Sequence, residues 1–158
     1  MLKRFTPSSR PAPKHSGQRG FTLLELLVAV LVFSFGILAL VSVQATATRM
    51  ATDARDRSTA AFLADQLMAR MLISDPANAA SFAHRTSGGA CLASGTNSSN
   101  STVTDWLTEV AAQLPNAPSS QQQVLINAGT GEVTVTLCWR NGNDNPRSLS
   151  VSNQIQWP

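Results

Sequence analysis

Residues 21–43 are Phe, Leu, Val, Ala and Ile almost without interruption, and one acid, Glu25, sits near the start of that run. At about 1.5 Å per residue a helix of this length reaches roughly 34 Å, more than the ~30 Å hydrocarbon core of a bilayer. The run therefore predicts a membrane-length helix and leaves residues 44–158 to build one modest core. A carboxylate in hydrocarbon costs about 2.5–3.5 kcal/mol on insertion scales. Glu25 is thus expected to have a task, and its natural partner is a positive charge supplied later.

The formal net charge of +3 is unevenly spread. Lys3, Arg4, Arg10, Lys14 and Arg19 give residues 1–20 a charge of +5 with no acid, whereas residues 21–158 hold seven Arg against nine acids, or −2. There is no lysine and no basic patch beyond the leader, which argues against nucleic acid as a partner. The positive-inside rule places the N-terminus in the cytoplasm and exports the C-terminal part. In an exporting compartment Cys91 and Cys138 are free to pair. Closing that loop would stabilise the fold by about 4 kcal/mol on the chain-entropy model. Two unpaired buried thiols are the other reading.

The organisation follows from composition. Residues 1–20, with three prolines and several serines, are expected to be a disordered cytoplasmic leader. Residues 21–43 form the apolar helix, and 44–75 continue it as an amphipathic helix. Its apolar stripe is expected to hold Ala47, Met50, Ala51, Ala54, Ala61, Ala64, Leu67, Met68, Met71 and Leu72. Asp75-Pro76 should stop it, because a residue before proline disfavours the helical region. Residues 76–158 are expected to form an exported head. Within it, residues 86–101 read as a loop around Cys91. A short helix follows with Val103, Trp106, Leu107, Val110, Ala111 and Leu114 on one face. Thr102 or Thr104 would cap it and Pro115 would stop it. Three strands close the chain: Gln123–Asn127, Glu132–Arg140 and Arg147–Trp157. Val133, Val135, Leu137 and Trp139 face one way, and Leu149, Val151, Ile155 and Trp157 continue that alternation. The predicted class is α+β: a long N-terminal helix, about residues 21–75, packed on a small antiparallel β-meander.

The junction before the run carries the functional signal. A secretory signal has an apolar core of 7–15 residues followed by a small-residue cleavage site. Here the run is longer and holds an acid, although Ala45-Thr46-Ala47 matches an ordinary site and an uncut signal anchor is a further alternative. Gly20-Phe21-Thr22-Leu23-Leu24-Glu25, with basic residues before and an apolar helix after, resembles the class III signal of type IV pilins and type II secretion pseudopilins. The resemblance implies a lollipop-shaped pilin fold. It also implies that a prepilin peptidase and N-methyltransferase cuts between Gly20 and Phe21 and methylates Phe21. Glu25 would then pair with the Phe21 amine of a neighbouring subunit during assembly. The other explanation of Glu25 is an acid favoured by the helix dipole. Gly36 softens the helix or allows close packing, and no proline interrupts residues 21–75.

A narrower likeness to PilV-like minor pilins rests on Ser34-Phe35-Gly36-Ile37-Leu38, Leu40, Gln44, Asp105-Trp106, Leu114-Pro115 and Val133–Trp139. GspI-type minor pseudopilins are close relatives of that group. The implied partners are other minor and major pilins and the inner membrane, with the pilus as final location.

Enzyme chemistry is sparse. His15 and His84 have no second histidine at metal-ligand spacing, so no metal is expected. A Ser/His/Asp arrangement around His84 is weak, and Gly129-Thr130-Gly131 reads as a hairpin turn. No catalytic residue, cofactor or small-molecule substrate is expected. Asn97 and Asn100 open glycosylation sequons that read as loop polarity.

Overall fold

The computed structural model describes residues 20, 22–127 and 129–155. The chain divides into two units, Met1–Ala45 and Thr46–Pro158. In the first, the described residues enter helix α1 (Leu23–Leu72), a helix of 50 residues. Every described residue from 20 to 45 is exposed within the chain. The Ser34 hydroxyl donates to the Val30 carbonyl at 2.7 Å and so is satisfied within the helix.

In the second unit α1 buries Asp56, Ala60, Leu63, Ala64, Leu67, Met68 and Met71. The spacing of three and four makes one face. That face corrects the expected alanine stripe: Ala47, Met50, Ala51, Ala54 and Leu72 are exposed, Ala61 is half-buried, and Leu63 is inside. Alanines lie all round this stretch and do not mark a side. Leu63, Leu67 and Met71 each bury far more apolar surface, so they decide which side turns inward. Asp56 is tolerated there because Asn141 Nδ2 donates to its Oδ2 at 2.8 Å.

The helix ends at Leu72, three residues before the expected stop. Ser74 N–H and Ser74 Oγ both donate to the Met71 carbonyl, at 3.0 and 2.6 Å, and close the last turn. Asp75-Pro76 begins an element instead of ending one. Asp75 Oδ1 accepts from Ala77 N–H at 2.9 Å and caps a 3₁₀ helix, Pro76–Phe82.

Helix α2 (Ser101–Gln113) buries Val103, Trp106, Leu107 and Val110. Its cap is Asn100, whose Oδ1 accepts from Thr102 N–H at 2.9 Å, and not Thr102 or Thr104. Asparagine there also explains the second sequon as a capping residue. Ala111, expected on the buried face, is exposed. Leu114 caps the C-terminus before Pro115, as expected. Beyond Pro115 the chain forms a 3₁₀ turn at Ser119–Gln121.

The sheet has the order β1-β2-β3, with β1 Gln123–Asn127, β2 Glu132–Trp139 and β3 Arg147–Gln154, all antiparallel. Val133, Val135, Leu137 and Trp139 are fully buried in one core with the α1 and α2 faces, and Leu149 and Val151 pack against it. Trp157 lies outside the described residues. The α+β class stands: residues of α1 and α2 cover one face of a three-stranded antiparallel meander.

The opposite face is not bare. Cys91 and Cys138 form a disulfide, with Cα atoms 5.3 Å apart and 47 positions between them in sequence. It holds the 84–96 loop over the back of the sheet, where Gln123 Nε2 of β1 donates to the Arg85 and Ser87 carbonyls at 2.9 and 3.1 Å. Cys138 and Thr136 are consequently buried although strand alternation places them on the polar side.

Trp106 joins the two helices. Its indole Nε1 donates to the Leu63 carbonyl at 2.8 Å, and the whole side chain is buried. Trp106→Ala should cost about 3–5 kcal/mol, and Trp106→Phe clearly less, because phenylalanine fills most of the space and loses mainly the hydrogen bond. Denaturant midpoints of the two variants check this; equal losses would show that packing volume contributes little.

Candidate processing and assembly site

The site is the start of α1. Thr22 precedes the helix and caps it: its Oγ1 accepts from Glu25 N–H at 3.3 Å, and its carbonyl accepts from Leu26 N–H at 3.2 Å. Thr22-Leu23-Leu24-Glu25 is thus a threonine cap followed by an acid at the third helical position. This Thr-x-x-Glu pattern is a capping signature legible in the sequence alone. Glu25 is fixed on the first turn while its carboxylate has no partner among the described residues. It is also alone in charge: residues 22–48 hold no other charged side chain, and the next is Arg49. At about 1.5 Å per residue, Glu25 and Arg49 stand roughly 36 Å apart along the helix, so the uncharged span matches a bilayer. By length and composition α1 is able to cross a membrane.

Gly20 is exposed, and a Cβ placed on it would meet nothing within 4 Å among the described residues. The fold itself therefore makes no demand for glycine there. Phe21 lies outside the described residues, as do His15 and the rest of the basic leader.

Residues 15–41 match the family model described as the prokaryotic N-terminal methylation motif. The chain carries the class III signal of type IV pilins and pseudopilins. No curated protein and no solved structure matches it. A class III signal implies processing by a prepilin peptidase and assembly with other pilins, and it suggests a structural protein and not an enzyme.

The remaining candidate residues are structural. His84 is buried, with Nδ1 accepting from Ser98 N–H at 3.1 Å and Nε2 donating to the Ser119 carbonyl at 3.1 Å. Both nitrogens are spent on backbone, so the ring ties two loops together and has no free position for proton transfer. No group of three or more metal-ligating side chains occurs among the described residues. Gly129 and Gly131 belong to the β1–β2 turn, where Gly131 N–H donates to the Asn127 carbonyl at 2.8 Å.

No sequence signal points to Gln122. Its Oε1 accepts from Cys138 N–H at 2.8 Å and its Nε2 donates to the Cys138 carbonyl at 2.9 Å. The side chain extends β1 by one rung and holds the strand position that carries the disulfide. No spacing rule announces a side chain that imitates backbone.

Proposed function

We propose that the chain is the precursor of a minor type IV pilin, and that it acts in pilus assembly or initiation within a minor-pilin tip or priming complex. Residues 1–20 are the cytoplasmic leader, and residues 21–43 are the inner-membrane and later filament-core segment. Residues 44–158 lie on the periplasmic side until assembly carries them to the cell surface. Cleavage falls between Gly20 and Phe21. The new Phe21 amine is methylated and keeps its positive charge. Glu25 lies four residues further, about 6 Å along the axis. In a neighbouring subunit its carboxylate reaches that amine within the apolar filament core.

The observation that carries this reading is the lone carboxylate on the first turn of a capped apolar helix, directly after the Gly20-Phe21 junction. The pair sets axial register. Adhesion comes from the apolar helices, since a buried ion pair offers little net stability but is costly to break. The narrower minor-pilin assignment rests on the PilV-like features of the sequence. A type II secretion pseudopilin shares the signal, and recovery of the chain in sheared surface pili separates the two.

Mass spectrometry of the N-terminal peptide tests the reading. With the prepilin peptidase present, the mature chain should begin at Phe21 and be one methyl group heavier; without the peptidase, the leader should remain. A chain that begins at Met1 in wild-type cells, or at Thr48, defeats the proposal.

A further inference from the structure

We infer that the outer edge of β3 is a docking edge for an extended strand of a partner subunit that itself carries a class III signal. This rests on the pilin reading for the identity of the partner, and on the backbone for the edge.

Backbone groups alternate in direction along an antiparallel strand. Ile155 N–H donates to the Gly131 carbonyl at 2.8 Å, on the side of β2. The register runs unbroken from Glu132↔Gln154 to Trp139↔Arg147. Residues 147, 149, 151 and 153 therefore direct their backbone groups at β2, and Ser148, Ser150, Ser152 and Gln154 direct theirs away from the sheet. The parity is checked on β2 itself. Cys138 N–H reaches the Gln122 side chain and Arg140 N–H the Pro115 carbonyl, at 2.8 and 3.0 Å, both away from β3.

The two edges of the sheet differ. On β1, Val124 and His84 exchange both backbone hydrogen bonds, at 2.9 and 3.0 Å, and cover the edge at that position. On β3, Gln154 N–H is taken up by Asn153 Oδ1 at 2.8 Å. The outward groups of Ser148, Ser150 and Ser152 meet no partner among the described residues. Proteins usually guard such an edge with lysine, proline or a bulge. The strand Arg-Ser-Leu-Ser-Val-Ser-Asn-Gln has none of these, and its one charge, Arg147, is engaged by Asp53.

The side chains specify the occupant. On one side of the strand, Ser152 and Ser150 share hydroxyl hydrogen bonds with Thr134 and Thr136, at 2.8 and 2.9 Å. On the other, Leu149 and Val151 are half-buried against the core. An added strand that continues both rows places small hydroxyl residues beside the serines and aliphatic residues beside Leu149 and Val151. Residues 148–154 are uncharged, so the matching segment is neutral. Strand addition of this kind takes its affinity from main-chain hydrogen bonds and its specificity from alternate side chains.

The test uses the full chain in cells that also produce the accompanying class III subunits, with the photo-crosslinker p-benzoylphenylalanine at position 152. Ser150→Pro removes an outward N–H and leaves the β2 ladder intact, as an edge strand tolerates. Irradiation should give an adduct with a class III subunit, mapped to a neutral alternating segment. Ser150→Pro should lower its yield at least tenfold while the Cys91–Cys138 bond and protease resistance persist. Should proline disturb the fold, Ser148→Lys, at an exposed position, should produce the same loss. No adduct, an adduct only with chains lacking the signal, or a yield unchanged by these variants overturns the inference. An uncut N-terminus would instead defeat the pilin reading, whatever the adduct shows.

Discussion

Glu25→Ala should be cut and methylated normally yet reach sheared filaments at less than about a tenth of the wild-type amount. Removing one member of a buried ion pair typically costs about 3–5 kcal/mol, because the other charge is left unpaired in an apolar surrounding. Each 1.4 kcal/mol is about tenfold in an equilibrium, so a tenfold depletion is a modest expectation. A competing account gives Glu25 only a local role at the helix start, where an acid contributes under about 1 kcal/mol. Glu25→Gln separates the two. Glutamine serves as well as glutamate at the third position of a capping box, but it carries no charge for the Phe21 amine. Under charge pairing both variants are depleted; under capping alone glutamine is incorporated normally. Quantitative mass spectrometry of sheared filaments, normalised to the membrane pool, gives the answer. Wild-type incorporation of Glu25→Ala would remove the pairing account.

Replacing both cysteines should be among the most damaging changes in the second unit. A disulfide spanning 47 positions contributes about 4 kcal/mol on the chain-entropy model, a large share of the roughly 5–15 kcal/mol that holds a typical domain. For a unit of this size the double variant Cys91→Ala/Cys138→Ala should lose about 15 °C or more in Tm. The loop at residues 84–96 should open first, since the bond pins it across the back of β2, and cleavage by an added protease should begin there. Thermal unfolding of the full chain in detergent, with and without reductant, measures the effect. A shift of only a few degrees would show that Gln122, Gln123 and the two backbone hydrogen bonds that Ser87 and Ser94 exchange across the loop, at 3.0 and 2.7 Å, hold it unaided.

The elements that were legible in the sequence are those whose physics is local. An uninterrupted apolar run without proline has to be helical, because hydrocarbon offers the backbone no other partner. Val133, Val135, Leu137 and Trp139 alternate so cleanly that their shared face was readable, and the structure buries all four. The helix end differs from expectation for an equally local reason. Asp75-Pro76 predicts a stop, but the Asp75 side chain caps the following turn, and Ser74 closes the helix first. The threonines predict the α2 cap, yet the structure uses Asn100, since asparagine caps as well as threonine does.

What was illegible depends on partners distant in sequence. Asp56 is buried because Asn141 reaches it, 85 positions away, and no window of residues 44–75 could reveal that. The processing junction lies at the other extreme. Gly20 to Glu25 are six consecutive positions whose chemistry needs no tertiary contact, so the motif matched at residues 15–41 is readable directly.

The sequence by itself determined the apolar helix, its lone acid and the signal in front of it, since hydration cost and helical rise act along a single segment. Only the tertiary structure decided which side of α1 turns inward, how Gln122 and the disulfide close the back of the sheet, and that β1 is bridged at Val124 while the outward groups of Ser148, Ser150 and Ser152 meet no partner among the described residues. Those outcomes depend on which surfaces meet, and burial and hydrogen-bond satisfaction are settled between segments that the chain order keeps far apart.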